Sequence, residues 1–241
     1  MKNKVINIVP IILHLAIIIM GSIAIITQAV LAPDSKNAVS TSGVDIYRYF
    51  TIDGNIFIIL ASIVALIFLL LRKSSKIVYL VHLMSAVSGL LIFVTVVIVL
   101  LPYFGPAILR GYKMIVLHVT NPIFTIITFL FFYNVGISKR IAILGILPMA
   151  VYGFFALLFC FTKVWVGRLI PYPFLEVYKN PWWESLLYIV GMFGGCILFS
   201  ILFSILSREL YIFNLNRIGL IISLSVIFVV IIGITILLII I

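Results

Sequence analysis

Seven long apolar runs alternate with short polar stretches along the chain: Val5–Leu31, Phe50–Leu71, Ile77–Phe104, Met114–Phe132, Ile141–Phe161, Leu186–Leu206 and Ile218–Ile241. Each is long enough to cross a hydrocarbon core about 30 Å thick as a helix. The runs are too long and too evenly apolar for barrel strands, and a helix bonds every backbone group within its own segment. The pattern predicts an all-α fold, a polytopic transmembrane helix bundle forming one integral membrane domain over 1–241. The last run and the Pro-rich stretch between the fifth and sixth put the count at six to seven spans. Lys2 and Lys4 before an apolar stretch resemble the start of a signal peptide. Val5–Leu31 is too long for a signal core, so it reads as a retained first helix.

Composition supports the pattern. Hydrophobic residues make up 65% of the chain and charged residues 9%, and the mean hydropathy is +1.41. A soluble domain is roughly a quarter charged, so a water-soluble fold is excluded. The net charge of +10 does not imply nucleic acid. Its Lys and Arg residues sit in small groups between apolar runs, where they fix orientation and meet anionic headgroups. With a cytoplasmic N-terminus, nine of the 16 basic residues fall inside, and Asp34, Asp45, Glu176 and Glu184 fall outside. The expected location is therefore a cell membrane with the N-terminus in and the C-terminus out. Heavy use of Ile, Lys and Asn fits an AT-rich bacterial genome. Cys160 and Cys196 lie within apolar runs and read as small buried hydrophobes.

Polar residues inside the spans are few, and an intramembrane ionisable group is a functional candidate by default. At the start of the second run, Arg48, Thr51 and Asn55 share one helical face at i, i+3 and i+7, while Asp53 points elsewhere. Asp53 reads either as a hydrated interfacial residue or as a partner of Arg48. At the start of the fourth run, His118, Asn121 and Thr125 repeat that spacing, and Pro122 frees a backbone carbonyl near His118. In the expected topology Thr51 and His118 lie at similar depth near the outer surface. The loop Lys163–Glu184, rich in Trp, Tyr and Pro, lies on the same side. It reads either as an interfacial aromatic belt or as a segment covering a site. His14 and His82 read as structural hydrogen-bonding groups. Three histidines at different depths make no metal site, and no cofactor motif, P-loop or Gly-x-Ser-x-Gly is present. Gly191, Gly194 and Gly195 give the sixth run a Gly-x-x-x-Gly pattern for close packing, inside the bundle or between subunits.

Three motifs resemble a known family. Tyr49-Phe50-Thr51-Ile52 followed by Asn55, then Leu117-His118 before Pro122, then Pro171-Tyr172-Pro173-Phe174-Leu175-Glu176-Val177 are similar in order and spacing to the bacterial branch of the androgen-induced transmembrane protein family. The resemblance runs from Tyr49 to Val177, and Asp53-Gly54 departs from the animal members. Those members are multi-pass hydrolases that cleave esters between fatty acids and hydroxy fatty acids. The resemblance implies Thr51 as nucleophile and His118 as base. Asp53, Asn55, Asn121, Tyr172 and Glu176 are the candidate supporting or substrate-binding residues. Asn55, Asn121 or Tyr172 would supply an oxyanion donor, and Asp53 or Glu176 would orient the imidazole. Membrane lipids, one of them an ester substrate, are the expected partners. The alternative is a non-enzyme: a transporter, a lipid-binding protein or an accessory subunit that docks through Gly191 and Gly195.

Overall fold

A computed structural model describes residues 8–30, 42–133, 137–162, 164, 172 and 182–214. Six helices in it are long and apolar enough to cross a membrane: α1 (Ile8–Val30), α2 (Phe50–Leu70), α3 (Lys76–Leu100), α4 (Tyr112–Phe132), α5 (Lys139–Phe161) and α6, whose span is Trp182–Leu210. The protein is a multi-pass membrane protein. No strand occurs among the described residues. The run Ile218–Ile241 lies outside them.

Helix ends sit where local chemistry puts them. Ser75 Oγ accepts the Ile77 N–H and starts α3, and Ser138 Oγ accepts the Ile141 N–H and starts α5, both as N-caps. α2 closes with Lys73 N–H on the Phe68 carbonyl and Arg72 N–H on the Leu69 carbonyl. This ending places Arg72 at φ 54°, a conformation that usually calls for glycine. α6 begins at Trp182, so Trp182, Trp183 and Glu184 are helical rather than part of the preceding loop.

Prolines shape the interiors. Irregular turns stand just before Pro102, Pro122 and Pro148: π-type windings at Val96–Leu100 and Val116–Thr120, and a 3-10 turn at Ile143–Ile146. Proline carries no N–H, and its ring collides with the carbonyl four residues back. A rewound turn relieves that collision without ending the helix.

α3 and α4 form the centre. α3 packs on α2, α4, α5 and α6, and α4 packs on α1, α2, α3 and α6. In α4, 72% of the apolar stretch is buried, against 17% in α6, so the bundle is built around α4. Small residues allow the close approaches. A Cβ on Gly89 of α3 would stand 2.7 Å from Thr125 Cγ2 and 3.1 Å from the Pro122 backbone. Gly191 and Gly194 behave otherwise. A Cβ on either would meet open space among the described residues, and one on Gly195 would meet only Phe199 of its own helix. Gly191 and Gly195 instead line a groove of about 610 Å³ between α3 and α6. Close packing through this pattern is therefore not made among the described residues.

Gly89→Ala is expected to lower the thermal unfolding midpoint in detergent by the equivalent of about 1–3 kcal/mol, the usual cost of overpacking. An unchanged midpoint would mean that the α3–α4 crossing yields freely.

Candidate functional site

The site begins with Pro122. In the π winding of α4 the Asn121 N–H bonds the Val116 carbonyl, five residues back. The next bond in that register would run from residue 122 to the Leu117 carbonyl, and proline has no hydrogen to give. The Leu117 carbonyl instead accepts from Asn55 Nδ2 of α2 at 2.8 Å. The freed carbonyl expected near His118 thus has a partner on another helix. Asn55 Nδ2 also donates to the Thr51 carbonyl at 2.7 Å, and Asn55 Oδ1 accepts from Asn121 Nδ2 at 3.2 Å. One buried amide therefore ties Thr51 to the turn that carries His118. Both Asn55 hydrogens are used on carbonyls, so its amide has no donor left for an oxyanion. Asn121 faces Asn55 and packs against Gly21 of α1, where an added Cβ would stand 2.3 Å from Asn121 Nδ2.

Thr51 and His118 line one cavity of about 40 Å³, together with Gln28, Tyr49, Ile108, Met114 and Tyr172. That volume holds one or two waters and no ester. Ile108 reaches it because the α3–α4 connection folds back into the bundle, bending at Gly105 and Gly111 with φ of 70° and 87°. His118 is buried, and its Nδ1 lies 2.9 Å from the Met114 carbonyl. A carbonyl can only accept, so Nδ1 carries the proton and Nε2 holds the lone pair. The imidazole is therefore oriented by backbone of its own helix. Asp53 lines a different space, and Glu176 lies outside the described residues.

Thr51 stands near the start of α2, where backbone N–H groups have no partner within the helix. Tyr49, just before it, offers no side-chain cap. The Tyr172 phenol oxygen meets these donors instead: it interacts with the Thr51 hydroxyl and with the Thr51 and Phe50 backbone N–H groups. Burial pushes the Tyr172 phenol above its ordinary range despite these bonds, so it stays protonated. The Tyr172 ring meets Tyr49 edge-on at 6.1 Å. Thr51 and Tyr172 also line a second chamber, of about 30 Å³, against Ile92, Met149, Tyr152 and Met192. The pair thus forms a partition between two small chambers.

Two expected neighbours stand elsewhere. Arg48 belongs to a 3-10 turn, Gly43–Arg48, and the extended backbone at Tyr49 separates it from α2. A helical face cannot be projected across that break, so Arg48 is not on the Thr51–Asn55 face. Its guanidinium pairs with Asp45, and its carbonyl accepts from the Tyr152 hydroxyl at 2.6 Å. Asp53 faces away from Thr51, into a groove between α2, α3 and α5. The contributions of Gln28 and of the Met114 carbonyl were not visible in the motifs. The one available signal was the position of Gln28, a polar residue near the end of α1 that leads into α2.

A second polar cluster fills the other end of α4. His14 Nε2 lies 3.1 Å from the Tyr133 hydroxyl, and His82 Nε2 lies 3.1 Å from Thr128 Oγ1. Ser85 Oγ bonds the His82 carbonyl at 2.8 Å and lies 3.2 Å from Thr125 Oγ1. Both histidines are fully buried hydrogen-bonding groups, as their positions suggested. Their depths correct the sequence reading. Each lies six residues past the start of its helix, at Ile8 or Lys76, and their rings meet at 5.2 Å.

Asn55→Leu is expected to lower the unfolding midpoint by the equivalent of about 1–3 kcal/mol, because it strands the Leu117 carbonyl and Asn121 in an apolar interior. Restoration of the midpoint in Asn55→Leu combined with Pro122→Ala, which returns an N–H to that turn, would identify the carbonyl as the cause. No family model matches the chain, and neither a curated protein nor a solved structure does so.

Proposed function

We propose that the protein is a lipid-ester hydrolase in which Thr51 is the nucleophile and His118 the base. The observation that carries this reading is the shared cavity of Thr51 and His118, with the His118 lone pair on Nε2 because Nδ1 is held by Met114. A secondary hydroxyl is a weak nucleophile at neutral pH and needs a base within reach.

In this mechanism Thr51 Oγ1 attacks the ester carbonyl and His118 Nε2 takes its proton. The oxyanion is met by the N–H groups of Phe50 and Thr51, which the Tyr172 oxygen engages in the resting protein. Donors at a helix start favour developing negative charge. As the tetrahedral intermediate collapses, the C–O bond to the leaving alcohol breaks and His118 returns the proton to that oxygen. The acyl group is then an ester on Thr51. A water in the cavity gives its proton to His118 and attacks this ester, which releases the fatty acid and restores the Thr51 hydroxyl. Asn55 holds the two partners in register through the Thr51 and Leu117 carbonyls.

The cavity is far smaller than an ester, so substrate binding must displace Tyr172 and join the chambers on its two sides. With the N-terminus cytoplasmic, the site lies near the outer leaflet, where a lipid ester enters sideways from the bilayer. A cell-membrane location in a bacterium and the resemblance to a hydrolase family are consistent with this reading.

Purified protein in detergent is expected to hydrolyse a long-chain ester, with turnover falling at least ~10²-fold in both Thr51→Ala and His118→Ala, since such groups act as a unit. A fluorophosphonate probe is expected to label the wild type and Thr51→Ser but not Thr51→Ala. Turnover untouched by Thr51→Ala in a folded protein would remove the mechanism.

A further inference from the structure

An ester held at Thr51 has two halves to place, and the Thr51–Tyr172 partition assigns them to different sides. His118 lines the cavity of about 40 Å³ on one side and not the chamber of about 30 Å³ on the other. It has to reach the leaving alkoxide oxygen, so the alcohol half belongs on its side and the acyl half on the other. The chamber there has no room for a long chain, yet two larger apolar grooves border it. One, between α2, α3 and α5, shares Phe50, Tyr152 and Ala156 with the chamber. The other, the groove of about 610 Å³ between α3 and α6, shares Thr95 and Met192 with it.

The two dividing walls differ. The first is pinned, because the Tyr152 hydroxyl donates to the Arg48 carbonyl at 2.6 Å and the Tyr152 and Phe50 rings pack at 5.2 Å. In the second, Met192 is half-buried, and a methionine side chain is unbranched and adapts to irregular space. It belongs to α6, whose apolar stretch is the least buried of the six spans at 17%, so little packing opposes its movement. Beyond Met192 the groove is open. A Cβ on Gly191 would meet nothing within 4 Å, and one on Gly195 only Phe199. Leu187 and Ile98 line the groove and are 64% and 67% exposed, so among the described residues it opens sideways toward lipid. From Thr95 to Val87 the α3 wall runs toward the centre of its span over about 12 Å, and the α6 wall runs inward from Met192 to Phe199 over about 10 Å. Leu91 and Cys196 keep this stretch apolar. A chain that passes Met192 therefore points toward the bilayer centre, as lipid chains do.

We propose that the α3–α6 groove holds the acyl chain of the ester attacked by Thr51, the chain passing between Thr95 and Met192. This rests on the hydrolase reading of Thr51 and His118, and it makes the acyl half the part of the substrate that the protein selects by length.

The test uses full-length protein in phosphatidylcholine nanodiscs and kcat/KM for p-nitrophenyl butyrate and p-nitrophenyl palmitate. Gly195→Phe and Gly191→Leu put side chains into open groove space. Each is expected to lower the palmitate-to-butyrate ratio at least about tenfold, the effect of excluding roughly two methylenes. Val151→Trp, in the groove between α2 and α5, should leave the ratio unchanged. A palmitoyl ester with a mid-chain diazirine reads the same site without turnover. Photolysis is expected to label residues 87–99 and 183–199, in competition with methyl palmitate. The labelling should persist in Thr51→Ala and fall in Gly195→Phe. Such labelling from a wild type that turns over neither ester would remove the hydrolase reading and keep the chain site. Thr51-dependent turnover with a ratio unmoved by both glycine variants, a ratio that falls in Val151→Trp instead, or labelling that methyl palmitate does not reduce would each overturn the proposal.

Discussion

A proline within a membrane helix leaves a carbonyl that water cannot reach, and the upper half of this bundle is organised around satisfying one such carbonyl. Pro122 forces α4 into a π winding and strips the Leu117 carbonyl of its partner. Asn55 reaches across from α2 to supply the bond. The same amide holds the Thr51 carbonyl, so meeting the demand of one helix fixes the relative position of two. In hydrocarbon the alternative to that bond is an orphaned polar group at a cost of several kcal/mol. That penalty, rather than the strength of the bond itself, gives the arrangement its rigidity.

The candidate site draws on three kinds of support. The π turn sets His118, whose tautomer is chosen by the Met114 carbonyl one turn back. The start of α2 provides Thr51 together with backbone donors that have no partner within the helix. Tyr172, which lies between α5 and α6 in the sequence, covers those donors with its phenol. Each element satisfies a local requirement of membrane structure, and their meeting point is a water-sized cavity that holds a hydroxyl and an imidazole. In the proposed mechanism these same donors would meet the substrate carbonyl, so Tyr172 would have to give way to it.

Many polar groups elsewhere obey the same economy, although Ser62 Oγ and Asn121 Oδ1 find no partner among the described residues. Down the buried side of α4, Asn121, Thr125 and Thr128 each find a bonding partner, and the last two meet the cluster around His82. Asp53 departs from it: among the described residues no hydrogen bond or ion pair engages its carboxylate, which faces apolar walls. Gly191 and Gly195 of α6 depart in another way, because their small surface faces the α3–α6 groove rather than a closely packed helix.

The membrane spans followed from the sequence because hydrocarbon thickness and backbone bonding leave little freedom, and six of the seven runs are spanning helices within a few residues of their expected ends. Thr51, Asn55, His118 and Asn121 were legible as a group because polar residues are rare in such runs and topology puts them at one end. Helical spacing failed wherever the winding changed. Arg48 lay beyond a break at Tyr49, and the roles of Asn55 and Asp53 depended on which neighbour stood opposite. The orienting partner of His118 was a main-chain carbonyl, which leaves no mark in a sequence. Residue type and hydropathy decided what had to be buried or satisfied. Only the packing of α2 against α4, and of Tyr172 against both, decided which group satisfies which, because hydrogen bonds between helices depend on rotation and register that a one-dimensional pattern does not carry.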